Sequence, residues 1–245
     1  MTAVPNLRVK IFADGASLPD MVALGRRPYV RGFTTNPTLM RKAGVQDYET
    51  FAREVLAAIR TRPVSFEVCS DDFADMEIQA RTIASWADNV YVKIPITNTL
   101  GQSSCALAHE LSHDGVKVNL TAVLTLDQVS AGVAALAGGA PSAISIFAGR
   151  IADTGRDPVP IMRSARSIID EAPSVELVWA SPRQVFNVVE ADVAGCDIIT
   201  LTIDLLDKLS LLGKDLGELS LETVTMFRND AVRAGYALSA RRQPA

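Results

Sequence analysis

A chain of 245 residues with 48% hydrophobic and 21% charged side chains is long enough for a sizeable core, which excludes an intrinsically disordered polymer. A net charge of −4 with scattered basic residues offers no footprint for nucleic acid or an anionic membrane, leaving small-molecule chemistry as the favoured class. Three widely spaced cysteines, Cys69, Cys105 and Cys196, exclude a disulfide framework and a Cys-x-x-Cys metal knuckle, and fit a reduced, cytoplasmic compartment.

In chain order, β-rich runs alternate with longer amphipathic stretches. "VKIFAD" and "RGFTTN" read as strands, then "DYETFAREVLAAIR" as a helix, "VSFEVC" as a strand, "DMEIQARTIASWAD" as a helix and "VYVKIP" as a strand. "CALAHELSHDG" reads as a helix, "VKVNLTAV" as a strand, "LDQVSAGVAALAGG" as a helix and "AISIFAG" as a strand. "PVPIMRSARSIIDEA", "VELVWAS", "PRQVFNVVEADVAG" and "DIITLT" continue the alternation. Eight strands with helical crossovers in about 200 residues match a TIM (β/α)8 barrel. An open doubly wound sheet is the alternative, but only Gly15 follows "IFAD", so the Gly-rich turn of a dinucleotide-binding sheet is missing. No stretch approaches membrane-spanning length and no linker interrupts the chain. One domain over 1–245 is expected: a barrel over about 8–210, a helical segment over about 211–240 built on "LETVTMFRNDAVRAGYAL", and a ragged tail at "RRQPA".

Side chains alternate across a strand with period two. In "VYVKI", Val90, Val92 and Ile94 take the face toward the helices, and Tyr91 and Lys93 point into the barrel, with Lys93 near the C-terminal strand end where barrel chemistry sits. The same parity sets Glu67 against Val64, Phe66 and Val68. It sets Asn119 and Thr121 against Val118, Leu120 and Ala122, Ser145 and Phe147 against Ile144 and Ile146, and Asp14 against Val9, Ile11 and Ala13. Polar groups from five strands thus converge on one interior. A desolvated lysine has its amine pKa lowered, and the neutral amine attacks a ketone or aldehyde to form an iminium that helps an adjacent C–C bond break or form. The plain alternative is a charged residue snorkelling at a strand end.

"GFTTNPTLMRKAG", "YVKIPIT", "NLTAVLTLDQ", "IFAGRIADTGRDP", "ASPR" and "AGCDIITL", in that order over about residues 9–210, resemble the transaldolase family, including its short members and the related fructose-6-phosphate aldolases. The resemblance implies an α/β barrel with Lys93 on the fourth strand as the Schiff-base residue. Asp14 resembles the aspartate that handles the proton of the C4 hydroxyl. Glu67 and Thr121 resemble the pair holding a catalytic water. Asn36 of "TTNP" resembles the asparagine that hydrogen-bonds the dihydroxyacetone unit, with Thr34 beside it in the substrate site. Asn119 and Ser145 resemble substrate-hydroxyl contacts. Arg150, with Ser181 and Arg183, resembles the phosphate site, to which guanidinium forks are suited. Family members that release the three-carbon unit carry glutamine and tyrosine where Glu67 and Phe147 stand here, which points to a transaldolase, with an aldolase-type lyase as the alternative.

The expected partners are small-molecule sugar phosphates, with no nucleic acid, no membrane, no metal and no organic cofactor; a homo-oligomer is left open. Each position also has a structural alternative. Asp14-Gly15 and Asn36-Pro37 suit turns, Glu67 suits a structural pair with Lys93, Thr121 and Ser145 suit locally satisfied hydroxyls, and Arg150 and Arg183 suit a solvated surface. Gly15 also replaces a threonine common after the family's first-strand aspartate. Two remote readings remain: a sugar-phosphate-binding barrel without catalysis, and a zinc metalloprotease built on "HELSH". Against the second, Leu107 and Leu111 define the buried face of that helix, which turns His109 and His113 toward solvent.

Overall fold

The computed structural model describes residues 7–236. Eight parallel strands close into a barrel in chain order: β1 (Lys10–Asp14), β2 (Val30–Thr34), β3 (Val64–Glu67), β4 (Val90–Pro95), β5 (Val118–Val123), β6 (Ser142–Ile146), β7 (Val175–Trp179) and β8 (Ile198–Thr202), with β8 pairing back onto β1. The architecture is the expected TIM barrel. Among the described residues the barrel unit runs through Leu209, and a second compact unit begins at Ser210. In that second unit the longest element is an 18-residue helix, Leu216–Arg233, capped by Asp215 and carrying Leu221, Val224, Met226 and Phe227 exposed. The "RRQPA" tail, the last residues of the expected helical segment and the first six residues of the chain lie outside the described residues. Among the described residues no helix is long and apolar enough to cross a membrane.

Helices wrap the barrel: α1 (Leu18–Gly25), α2 (Pro37–Lys42), α3 (Tyr48–Ala58), α4 (Phe73–Ala84), α5 (Cys105–His113), α6 (Leu126–Leu136), α7 (Ala148–Asp153), α8 (Pro158–Ile169), α9 (Asn187–Ala194) and α10 (Ile203–Lys208). Their starts follow from capping side chains: Asp47, Asp72 and Asp157 each accept from backbone amides of the first turn, and Thr125 with Gln128 forms a capping box. α9 begins at Asn187, later than "PRQVFNVVEADVAG" suggests. Asn187 Oδ1 accepts from the amides of Arg183 and Gln184, which keeps the preceding residues in a loop.

Alternation is interrupted at two places: the β1–β2 register shifts between Ile11 and Phe12, which leaves Arg31 without a strand partner there, and β5 carries a bulge. Val118 and Leu120 are buried against the helices, but Ala122 adopts a left-handed φ of 59° and the register against β6 shifts between Leu120 and Val123. This bulge puts the fully buried Val123, not Ala122, opposite Ile146. Below the polar face, Phe12, Ala143, Val178 and Ile198 form an apolar cluster inside the barrel. Phe12 fills that space because β2 carries Gly32 beside it. A Cβ at Gly32 would come within 2.5 Å of the Phe12 ring. Gly32→Ala is therefore expected to destabilise the protein by about 1–3 kcal/mol through overpacking, read as a Tm decrease of several degrees. Gly15→Ala meets no atom within 4 Å and should leave Tm essentially unchanged. Equal Tm values for the two variants would refute this packing.

Candidate active site

The C-terminal strand ends and the loops after them surround a cavity of about 470 Å³. Its walls carry Asp14 from β1, Glu67 from β3, Lys93 from β4, Thr121 from β5, Ser145 from β6 and Thr200 from β8. The loops add Asn36, Phe147, Ser181 and Arg183, α7 adds Arg150, and Thr34 of β2 also lines the cavity. A cleft of about 630 Å³ opens at the other end of the barrel, near the starts of β4 and β5. Its one lysine, Lys117, donates to the Asp88 carbonyl at 2.6 Å and lies over the Tyr91 ring. The buried lysine paired with a carboxylate belongs to the smaller cavity.

Lys93 is 6% exposed, and its ammonium is held by two acceptors: Glu67 Oε2 at 2.8 Å and the Thr35 carbonyl at 2.9 Å. Strand register creates the first contact, because Glu67 and Lys93 are direct partners across β3 and β4 and both point inward. The pairing of these two residues, given above as the structural alternative for Glu67, is present, and it lies on the cavity wall.

Asp14 sits on the opposite wall. Burial pushes its carboxyl above the ordinary aspartate value, opposed by the positive charge of Lys93 and by hydrogen bonds from Thr34 and Asn36. Thr34 Oγ1 donates to Asp14 Oδ1 at 2.8 Å and lies 2.5 Å from Thr200 Oγ1. One hydroxyl has one proton, so a Thr34 that donates to Asp14 accepts from Thr200. Asn36 divides its amide: Oδ1 accepts from the Leu39 amide as the cap of α2, and Nδ2 reaches Asp14 Oδ2 at 3.4 Å. The loop-starting role and the site-facing role thus coexist in one side chain.

Thr121 is buried on the cavity wall, and its hydroxyl has no hydrogen-bond partner among the described residues. Ser145 Oγ donates to Asn119 Oδ1 at 2.7 Å, and Asn119 Nδ2 donates to Ser65 Oγ at 3.3 Å. Asn119 does not line the cavity. It lies a layer lower, above the apolar cluster, and fixes Ser145 from beneath.

At the rim, Arg150 lies over the Phe147 ring at 5.5 Å, and Arg183 is paired with Asp153, its Nε 3.0 Å from Oδ1. That pairing holds the Asp153 carboxyl below its ordinary value. Ser181 takes a left-handed φ of 60°, and a Cβ on Gly149 would fall 1.6 Å from its carbonyl oxygen. Glycine at 149 is what lets the first turn of α7 touch the loop after β7.

Sequence reasoning did not anticipate Thr200, Ser65, the Thr35 carbonyl or Asp153. Thr200 was within reach of the period-two argument, since it alternates with Ile199 and Leu201 in "DIITLT". The histidines of "HELSH" lie exposed on α5, away from Leu107, Ala108, Leu111 and Ser112 of its buried face. Nδ1 of His109 meets the Ala135 carbonyl and Nδ1 of His113 the His109 carbonyl. Among the described residues no group of three or more His, Cys, Asp or Glu side chains is placed to hold a metal ion.

The family model described as transaldolase/fructose-6-phosphate aldolase matches residues 11–240. A probable transaldolase of Dehalococcoides mccartyi is 34% identical over 194 residues, 79% of this chain and 86% of that protein. A probable transaldolase of Lactiplantibacillus plantarum is 35% identical over 202 residues, 82% of this chain and 88% of that protein. Probable transaldolase 2 of Listeria monocytogenes is 34% identical over the same share of each. With a closed barrel that gathers these side chains at its C-terminal face and a match of this extent, the chain belongs to the transaldolase/fructose-6-phosphate aldolase family.

Proposed function

We propose that the protein is a class I transaldolase that moves a dihydroxyacetone unit from a ketose phosphate, fructose 6-phosphate or sedoheptulose 7-phosphate, to an aldose phosphate through a Schiff base on Lys93. The observation that carries the reading is the buried Lys93 amine, 2.8 Å from Glu67 Oε2, in a cavity that it shares with Asp14. An ammonium is not a nucleophile, and Glu67 is within proton-transfer reach. Glu67 takes one proton from Lys93, and the neutral amine adds to the C2 ketone. A second amine proton moves to the resulting alkoxide, and Glu67 returns its proton as the carbinolamine hydroxyl leaves as water. The iminium that remains carries the positive charge.

Asp14 then takes the C4 hydroxyl proton while the C3–C4 bond breaks, its electron pair moving into the iminium to give an enamine as the aldose phosphate departs. Transfer runs these steps backward on a second aldehyde, and hydrolysis frees Lys93. No metal or organic cofactor takes part in this sequence. Thr121, with its unpartnered hydroxyl, is assigned with Glu67 to hold the water that serves these proton transfers. Asn36, Thr34 and Ser145 are assigned to the sugar hydroxyls, with Asn119 acting through Ser145. Arg150, Ser181 and Arg183 are assigned to the phosphate, which would share the Arg183 guanidinium with Asp153 or displace that carboxylate. A sugar-phosphate binder without catalysis has no use for a reactive amine beside a proton acceptor.

Borohydride reduction in the presence of fructose 6-phosphate should fix a three-carbon adduct on Lys93, located by mass spectrometry. No adduct, or one on another lysine, would exclude the mechanism. The acid limb of kcat/KM should lie above the ordinary aspartate range, because Asp14 must be ionised to accept a proton and its base form disappears as pH falls through the raised value. Asp14→Asn should lower C–C cleavage by about 10²–10⁴-fold and still allow trapping of dihydroxyacetone itself on Lys93. The same shift has a stability consequence: a raised carboxyl costs stability above the unfolded-state value, so Asp14→Asn should raise Tm at neutral pH, with the gain fading under acid. An unshifted acid limb together with unchanged cleavage would remove Asp14 from the mechanism.

The choice between transfer and release rests on Phe147. A tyrosine there would offer a hydroxyl to hold and polarise water near the enamine, and phenylalanine offers none. With erythrose 4-phosphate as acceptor, transfer should greatly exceed formation of free dihydroxyacetone, and Phe147→Tyr should increase that release. Fast release by the unmodified protein without acceptor would favour the aldolase reading.

A further inference from the structure

Strands β2 and β3 are joined by rungs that advance two residues at a time. The Phe33 amide donates to the Pro63 carbonyl at 2.9 Å, and the Thr35 amide to the Ser65 carbonyl at 3.1 Å. In a parallel ladder the next rung would run from the Glu67 amide to the Thr35 carbonyl. A phenol takes its place. The Glu67 amide donates to Tyr48 Oη at 2.8 Å, the Tyr48 hydroxyl donates to the Glu67 carbonyl at 2.8 Å, and the Thr35 carbonyl accepts from Lys93 Nζ at 2.9 Å. One hydroxyl can do both jobs on Glu67 because it is donor and acceptor at once.

We propose that Tyr48 is a positioning residue for catalysis: by substituting for the missing rung it frees the Thr35 carbonyl for the Lys93 amine and fixes the backbone from which the Glu67 carboxylate reaches that amine. The inference rests on the Schiff-base reading given above. Tyr48 touches neither the cavity nor Lys93, and acts from α3 through the main chain of β3. Its ring packs edge-on against Trp86 at a centroid distance of 5.9 Å and near Phe66 at 6.2 Å, while the hydroxyl is held by its two bonds to the Glu67 main chain. Burial drives the phenol well above its ordinary pKa, so the hydroxyl keeps its proton across the working pH range. Without the hydroxyl, the half-buried Glu67 amide would have to close onto the Thr35 carbonyl, in competition with Lys93, or lose its protein partner. Either outcome displaces the acceptor pair around the amine.

The test is Tyr48→Phe, which keeps the ring, compared with Trp86→Phe, which loosens the same aromatic cluster and leaves the hydroxyl bridge intact. For Tyr48→Phe, kcat and the rate of borohydride trapping on Lys93 should fall roughly 10- to 100-fold, the scale of an ångström-sized misplacement, while KM for the sugar phosphate stays within a few-fold. The KM expectation follows from the site itself, since the assigned phosphate contacts follow β6 and β7. Trp86→Phe should lower Tm yet keep the wild-type kcat. In the unmodified protein the Glu67 amide should be protected from hydrogen exchange, a measurement that holds even if Tyr48→Phe does not fold. Trapping and turnover by a folded Tyr48→Phe at the wild-type rate, or an unprotected Glu67 amide, would overturn this inference alone. An unmodified protein that forms no adduct on Lys93 would overturn the Schiff-base reading and this inference with it.

Discussion

A positive charge held inside a barrel is the constraint on which the upper half of this structure depends. An ammonium transferred from water to an apolar interior without partners would be driven to lose its charge or unfold its surroundings. Lys93 avoids this with two acceptors of different kinds, the Glu67 carboxylate and the Thr35 carbonyl. Each requires something of the fold. The carboxylate requires β3 and β4 in the register that makes Glu67 and Lys93 neighbours. The carbonyl must be withdrawn from the β2–β3 ladder, and so the amide it would have served must be satisfied from elsewhere. The Tyr48 hydroxyl on α3 does that, and in this way the buried charge reaches out of the barrel to an outer helix.

The remaining polar groups are arranged so that few donors are left undirected. Thr200, Thr34 and Asp14 form a line in which each proton points toward the carboxylate. Ser145, Asn119 and Ser65 form a second line beneath the cavity. Both lines rest on the apolar layer of Phe12, Ala143, Val178 and Ile198, which limits how far the side chains above can sink. Thr121 is the exception. A buried hydroxyl without a protein partner on a cavity wall is where an interaction with substrate or solvent gains most.

What was legible in the sequence was whatever depends on period two. Lys93, Glu67, Asp14, Thr121 and Ser145 all face the interior because, on a strand whose alternate apolar residues face the helices, the residues between them have only one other side to take. That reasoning fails where the backbone departs from a regular strand: the left-handed Ala122 shifts the face of Val123, the last residue of β5, and a bulge has no composition of its own. Contacts between elements are also invisible to it. Tyr48 reads as an ordinary aromatic on an amphipathic helix, and nothing in "DYETF" indicates that its hydroxyl meets the main chain of Glu67 nineteen positions on. The Thr35 carbonyl is beyond any argument from side chains. Asp153 was hidden for a different reason, since an aspartate at the end of a short helix resembles any solvated charge until Arg183 arrives from the next loop.

Two ion pairs within one cavity region show how burial decides what a pair can do. Arg183 and Asp153 are about half exposed, with side chains at 47% and 52%, whereas Lys93 and Glu67 are at 8% and 17%. Solvent screens the first pair, so its net contribution to stability is small and its guanidinium can be shared with a second anion at little cost. The second pair is poorly screened, so removing either charge leaves the other uncompensated. Proton transfer within it is the change that removes both charges together. On the proposed Schiff-base reading, formation of an iminium would restore a positive charge on the nitrogen Glu67 already faces. Under the proposed function the two pairs would serve two ends of one substrate: an exposed, exchangeable cation suits a phosphate that must bind and leave, and a buried, tightly coupled amine suits a bond that must form and break.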